Sequence, residues 1–380
     1  MSTAQWEILG IAVLTAAGCA LVGTFLMLRR MAMVADAITH AILPGIVTAF
    51  LLTGSLSSPW LVIAAAATGV LTVALVEALT NTGRLREDAA MGLVFPALFS
   101  VGIIMITRYA GNVHLDVDAV LLGELAFAPF DRLEIAGRDL GARHLWLMGA
   151  VTLANALLIA MFFKELKLAT FDAGLAASLG LAPVVIHYGL MSMVSVTAVG
   201  AFDAVGLVLV VALMVGPPAA AYLLTDRLDV LLALAVLLGA VAAGLGFALA
   251  AWLDASIAGS MAVGVGLVFG AVFLLAPDRG LLAGMRRRRR QRYEFAQVML
   301  AIHLLQHEGE PDYADESRVD HLHGKHVGWT PRFTRDVVAG AVRRGLVDRA
   351  GVQLTLTDAG RLAAGRALSG ASAAGEAAAG

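Results

Sequence analysis

Two ionisable residues interrupt an apolar stretch near the N-terminus. They are Asp36 and His40, in the run Met33-Val-Ala-Asp-Ala-Ile-Thr-His-Ala-Ile-Leu-Pro-Gly45. Four residues apart, they share one face of a helix. A carboxylate oxygen and an imidazole nitrogen so placed make half a site for Mn²⁺, Fe²⁺ or Zn²⁺. Pro44 breaks the helix one turn later, as at ion sites built on interrupted helices. An Asp–His ion pair holding helices together would use the same two side chains. Asp203, between two apolar segments, and Asp116 and Asp118, in a long acidic connection, are placed for cation entry at an outer gate or for plain hydration. Glu77 reads as a helix-pairing group, and His114 and His187 as isolated structural histidines. Five of the nine histidines lie near the C-terminus. The i,i+4 pair His303/His307 and the run His321-Leu-His323-Gly-Lys-His326 could bind a transition metal, or be solvated side chains of a polar loop.

The elements that must hold these residues are largely membrane helices. Of 380 residues, 59% are hydrophobic and 15% charged, against about 25% charged in soluble domains. The mean hydropathy of +0.82 excludes an ordinary cytosolic enzyme. Charge is uneven: residues 1–284 carry 12 Lys/Arg and 18 Asp/Glu, a net of −6, and residues 285–380 carry 15 and 11, a net of +4. A membrane part over 1–284, a basic linker over 285–292, a polar domain over 293–368 and a disordered Ala/Gly/Ser tail over 369–380 are expected. Crossing the hydrocarbon takes about 20 apolar residues, and nine segments qualify: 7–28, 36–54, 58–79, 89–107, 144–163, 184–201, 204–224, 230–252 and 257–276. The first is too long for a cleaved leader and is expected to stay as a span.

Arg29–Arg30, Arg84/Arg86, Lys164/Lys167, Arg227 and Arg286–Arg290 fall at alternate connections. The positive-inside rule puts them all in the cytoplasm, with the N-terminus outside and the C-terminal domain inside. The outer connection 108–143 is net acidic and encloses semi-apolar Val120–Phe130, which predicts a re-entrant or gating helix, or an interfacial one. Cys19 is alone, so neither an internal disulfide nor a cysteine-based zinc cluster is available. No G-x-x-x-x-G-K-[ST] loop occurs, so any ATP hydrolysis belongs to another chain.

In the polar part, the Arg286–Arg290 run reads as an anchor on anionic lipid headgroups. A helix over 293–307, a second over Thr330–Arg344, two short strands within 346–356 and a helix opened by Thr357-Asp358 follow. This is a small α/β winged-helix order.

Leu28-Arg-Arg-Met-Ala-Met-Val-Ala-Asp-Ala-Ile-Thr-His-Ala-Ile-Leu-Pro-Gly45 resembles the signature of the zinc/manganese/iron permease family of ATP-binding-cassette (ABC) importers. Two further stretches, Phe163–Gly180 and Phe202–Asp226, resemble that family in its own order. Ala35 replaces the usual Gly and Thr39 the usual Ser, small for small; Asp and His are kept. The resemblance implies an all-α polytopic permease of the bacterial plasma membrane, paired as a homodimer with the pathway between subunits. It implies a separate ABC ATPase and an extracytoplasmic metal-binding protein as partners. No permanently bound cofactor is expected, only the cargo, Mn²⁺ ahead of Zn²⁺ or Fe²⁺. Manganese is favoured by the sulfur-free donors and by the likeness of Gly216-Pro-Pro-Ala-Ala-Ala-Tyr222 to manganese-type members. Asp36 and His40 would face the metal. Lys164, Glu165, Lys167 and Asp172, followed by a short helix over 176–183 with Ala176 and stopped by Gly180, would meet the ATPase; an interfacial helix lying on the membrane is the plainer reading.

The C-terminal stretch Arg343-Arg-Gly-Leu-Val-Asp-Arg-Ala-Gly-Val-Gln-Leu-Thr-Leu-Thr-Asp-Ala-Gly-Arg-Leu-Ala-Ala-Gly-Arg-Ala-Leu368 resembles winged-helix domains of iron-dependent regulators. Arg332, Arg335, Arg343 and Arg344 could face DNA. A domain tethered to a membrane reaches chromosomal sites poorly, so a regulatory or protein-contact role is expected, with nucleic acid not a partner. Two other classes keep a discriminating feature: an ion-gradient-driven transporter would need its own coupling-ion site at mid-membrane, and a membrane-tethered metal-responsive regulator would need a DNA-binding tail.

Overall fold

A computed structural model describes residues 2–54, 59–109, 125–135, 138–323 and 328–379; at Pro59, Ile135, Arg138, Asp203, His323 and residues 370–379 it describes backbone alone. The chain divides after Gly280 into two compact units.

The first unit is built from long apolar helices. α1 (Thr3–Leu28) is apolar all round and buries Ile11, Ala16, Cys19, Val22 and Phe25 completely. A helix with no polar face belongs inside a bundle. There it packs against α6 (Arg143–Met161), α9 (Pro183–Val205), α10 (Leu207–Leu224) and α11 (Leu228–Leu253), with α12 (Ile257–Leu275) closing on α10 and α11. α2 (Ala32–Ala41) and α3 (Leu43–Thr53) together make one span, packed on α4 (Pro59–Thr80) and α5 (Glu87–Tyr109). Lipid tails give no hydrophobic drive between helices, so close approach and interhelical hydrogen bonds carry the packing. A Cβ on Gly23 would strike the backbone carbonyl of Met214, and one on Gly45 that of Ala64. Asn155 Nδ2 donates to Thr197 Oγ1 at 2.7 Å, and Ser195 Oγ to the carbonyl of Ala66 at 2.9 Å.

Nine helical spans are present among the described residues, in the order the hydropathy predicts. The boundary expected at Phe202–Asp203 lies instead at Gly206, where φ is +77° and the helix cannot continue. Within the connection between α5 and α6, residues 110–124 lie outside the described residues. The rest forms a 3₁₀ turn (Ala128–Phe130) and a β-hairpin of β1 (Arg132–Ile135) and β2 (Arg138–Ala142), with Glu134 opposite Asp139. Over 125–130, therefore, the expected re-entrant helix is replaced by tight turns. On the other side, α7 (Phe163–Phe171) and α8 (Ala173–Ser178) join α6 to α9.

The second unit opens with α13 (Leu281–His307), a single helix through both the arginine run and 293–307. Arginine is a good helix former, so the expected linker is no break. α14 (Tyr313–Glu316) and a 3₁₀ turn (His321–His323) lead to α15 (Pro331–Arg343), capped by Thr330 Oγ1 accepting from Phe333 N. β3 (Val347–Ala350) pairs antiparallel with β4 (Gln353–Leu356), Val347 opposite Leu356. α16 (Asp358–Ala379) follows, its backbone helical beyond 368, where composition predicts disorder; alanine's helix propensity favours the continuation. Leu300, Leu304, Val337, Val338, Ala341, Val347, Leu354 and Ala364 form this unit's core.

Candidate metal pathway and coupling surface

α2 is ten residues long because Pro44 lacks the N–H that would bond the carbonyl of His40. The chain bends at Ile42 and restarts as α3 with Pro44 in its first turn. One face of α2, with Ala35, Ile38 and Ala41, is fully buried. The other carries Asp36 and His40, whose side chains are 33% and 28% exposed. His40 Nε2 lies 3.5 Å from Asp36 Oδ1, and Thr39 Oγ1 donates to the Asp36 carbonyl at 2.9 Å. The imidazole sits beside two phenyl rings of α5, Phe95 at 5.6 Å and Phe99 at 6.2 Å between centroids. At about 1.5 Å per residue, His40 is about 12 Å along the span from Ala32. A polar pair at that depth on an open face is costly in lipid, which makes it a candidate functional site. Donor atoms of one ion, with bonds of about 2.0–2.2 Å, stand roughly 3.0–3.4 Å apart. The pair is within a few tenths of an ångström of that separation.

Glu77 and His187, read separately in the sequence, form a single cluster. Glu77 accepts from Tyr188 Oη at 2.6 Å and pairs with His187 Nε2 at 2.7 Å. His187 Nδ1 lies 3.2 Å from an Arg29 guanidinium nitrogen, and Arg29 Nε donates to Thr170 Oγ1 at 3.2 Å. Burial pulls the Arg29 guanidinium below its ordinary value. The cluster ties the α1–α2 turn, α4, α7 and α9 together beside a 270 Å³ cavity lined by Val34, Ala37, Glu77, Glu87 and His187. No sequence signal predicts it: its members are scattered between Arg29 and Tyr188 and share no period. Phe95 and Phe99 are equally silent among the apolar residues of their span.

Asp116 and Asp118 lie outside the described residues, as does His326. Asp203 lies near the end of α9, with backbone alone described. Around the β1–β2 hairpin, Arg132 binds Asp139 at 2.6 Å and Glu7 at 3.1 Å, and it holds Asp139 below the usual carboxylate range. Part of the acidic charge expected to attract cations is thus already paired. Lys164, Glu165 and Lys167 lie on α7. Asp172 Oδ1 accepts from Leu175 N at 2.8 Å and starts α8, so the short helix covers 173–178, ahead of the expected 176–183. Ala176 is buried and Gly180 adopts φ +82°. Phe171, Leu175 and Leu179 stand exposed on this connection, Leu179 by 65%. In the second unit His303 and His307 are adjacent on α13, and His321 joins them through Glu316.

A bundle of apolar spans, with a donor pair on an interrupted helix and an apolar knob on a short connecting helix, defines a membrane permease. The chain belongs to the ABC 3 transport family, whose pattern matches residues 2–276. It is 47% identical over 354 residues to the zinc transport system membrane protein TroD of Treponema pallidum, covering 93% of this chain and 96% of that protein. It is 46% identical over 282 residues to the manganese transport system membrane protein MntD of Bacillus subtilis, covering 74% and 95%. Among solved structures, PsaBC from Streptococcus pneumoniae in complex with Fab superposes with a TM-score of 0.62 at 26% identity, over 73% of this chain and 94% of that one.

Proposed function

We propose that this permease imports a divalent transition metal, Mn²⁺ ahead of Zn²⁺ or Fe²⁺, and that Asp36 and His40 pass the ion through the membrane. The observation that carries the reading is the 3.5 Å carboxylate–imidazole pair at an open helix face, next to a proline break. Relatives named for zinc and manganese transport support the cargo class. The donor set contains no sulfur, which favours the harder Mn²⁺. Two donors from one chain cannot complete a coordination shell. A second copy facing the same surface brings the count to four, so the working unit is a homodimer with the ion passing between subunits. Such a sparse shell suits transport, because an ion held too tightly is not released.

Alternating basic connections orient the chain with its N-terminus outside and its second unit in the cytoplasm. The α7–α8 connection then faces a separate ATPase, whose groove receives Phe171, Leu175 and Leu179. A binding protein delivers the ion at the outer face, where the hairpin lies. The test is uptake of radiolabelled Mn²⁺ into vesicles holding the chain with and without its ATPase and ATP. Uptake only with both is expected; sustained accumulation without the ATPase would overturn the reading.

A further inference from the structure

The second unit carries a donor cluster that metal transport through the membrane does not use. His303 and His307 lie one turn apart on α13, ring centroids 4.9 Å apart. The turn after α13 folds back so that α14 ends with Glu316 against them. Glu316 Oε2 is 3.3 Å from His303 Nε2 and 3.0 Å from His321 Nε2. One donor atom each from His303, His307 and Glu316 lie within 4.8 Å of one another. His307 Nδ1 also faces Glu310 Oε2 and Asp312 Oδ2, both at 3.4 Å.

Charge makes this more than a hydrogen-bonded corner. The Glu316 side chain is only 14% exposed, and among the described residues its ion-pair partners are histidines, with no Lys or Arg. A withdrawn carboxylate facing imidazoles is compensated only if an imidazole is protonated or a cation is present. Two imidazole nitrogens and one carboxylate oxygen, with positions left open, form a donor set for borderline first-row cations.

We propose that His303, His307 and Glu316 form a cytosolic-unit binding site for a divalent transition metal, with His321 Nε2, 3.0 Å from Glu316 Oε2, holding the carboxylate in place. For such nitrogen-rich donors Zn²⁺ binds ahead of Mn²⁺. The site also has a lever. Directly after Glu316, the Ser317 carbonyl accepts from Leu354 N at 2.9 Å, and Val319 N donates to the Val352 carbonyl at 2.8 Å. An ion bridging α13 and Glu316 therefore fixes the β3–β4 hairpin relative to α13. The hairpin becomes the part of the unit that reports occupancy.

The test uses the full chain in detergent, carrying Asp36→Ala and His40→Ala so that pathway binding is removed. Equilibrium dialysis with Zn²⁺ is expected to give one ion per chain at micromolar concentration. Amide exchange at 316–319 and 352–354 should slow when Zn²⁺ is added. Glu316→Gln and His307→Gln, each checked for an unchanged apo melting curve, should weaken binding at least 10-fold. If Glu316→Gln does not fold, His307→Gln decides, since its side chain is more exposed. Absence of stoichiometric binding at micromolar Zn²⁺, or binding left intact by His307→Gln, overturns the proposal.

Discussion

Asp36→Asn and His40→Ala should each cut metal uptake by more than 100-fold. The first substitution keeps the shape of the side chain but loses the charge that draws a divalent cation off its water. The second removes the nitrogen 3.5 Å away. Loss of a mere outer partner of a metal ligand typically costs about 10–100-fold in affinity or activity. Loss of a ligand itself should exceed that, and in the proposed homodimer the effect doubles, because one substitution would delete two of four donors. His40→Ala also opens space beside Phe95 and Phe99, so packing must be separated from ligation. The exchange Asp36→His with His40→Asp does this. It restores one oxygen and one nitrogen at the same i,i+4 spacing and should recover part of the uptake, whereas Asp36→Ala with His40→Ala should recover none. The assay is initial-rate uptake of radiolabelled Mn²⁺ into proteoliposomes with ATPase and binding protein, normalised to inserted chain. A single variant transporting within twofold of wild type would refute the assignment of the pair to the pathway.

Other parts of the molecule can be tested in the same way. Leu175→Asp with Leu179→Asp should leave the melting behaviour of the isolated permease unchanged, since both side chains are largely exposed; it should abolish co-purification with the ATPase, because burying one leucine contributes about 1.5–3 kcal/mol. Glu77→Ala strips the carboxylate that faces His187 and Tyr188 and leaves His187 beside Arg29. Breaking a buried pair costs about 3–5 kcal/mol, and partial exposure of Glu77 brings the expected loss to about 2 kcal/mol, read from the midpoint of denaturation in mixed micelles. In the second unit, burial lowers the proton affinity of His303 from an ordinary value of 6.5. The unfolded chain takes up that proton first, so stability should fall as pH drops through about 6.5 and be fully present above it. A melting temperature of the metal-free chain that stays flat between about pH 7.5 and 5.5, or rises as pH falls, would contradict this.

The spans were legible because hydrocarbon thickness imposes one length and one composition. The proximity of Asp36 and His40 was legible for a related reason: charge is so scarce there that the two stand out, and the i,i+4 spacing needs only local geometry. Pairings between helices leave no such trace. Glu77 and His187 are 110 positions apart, and each alone resembles a satisfied structural group. Phe95 and Phe99 are two apolar residues among many. Glu316 was missed because its partners are reached only through the turn that carries α14 back onto α13. The hairpin at 132–142 had a usable signal, a glycine at 137 between two short runs, but the apolar stretch before it pointed to a helix.

On the proposed function, the place of Asp36 and His40 on α2 links transport to assembly. Three apolar residues of that helix, Ala35, Ile38 and Ala41, face inward and are fully buried, so the bundle fixes its rotation. The donor pair is thereby held on the opposite, open face. A single chain could have buried the pair in its own core and enclosed the ion, but such a site would need the whole bundle to open for release. In the homodimer proposed above, donors presented at a surface would meet their counterparts only when two copies are apposed, and would separate when the copies tilt. In the proposed assembly, closure of a paired ATPase would move the α7–α8 connections, and Arg29 reaches from the turn before α2 to Thr170 on α7. Movement of that connection would then be passed to the helix that bears the proposed ligands. Thr170→Val, which keeps the side chain's volume but removes the acceptor for Arg29, should therefore lower the ratio of metal transported to ATP hydrolysed while leaving ATPase binding intact. An unchanged ratio would remove Arg29 from the route of coupling.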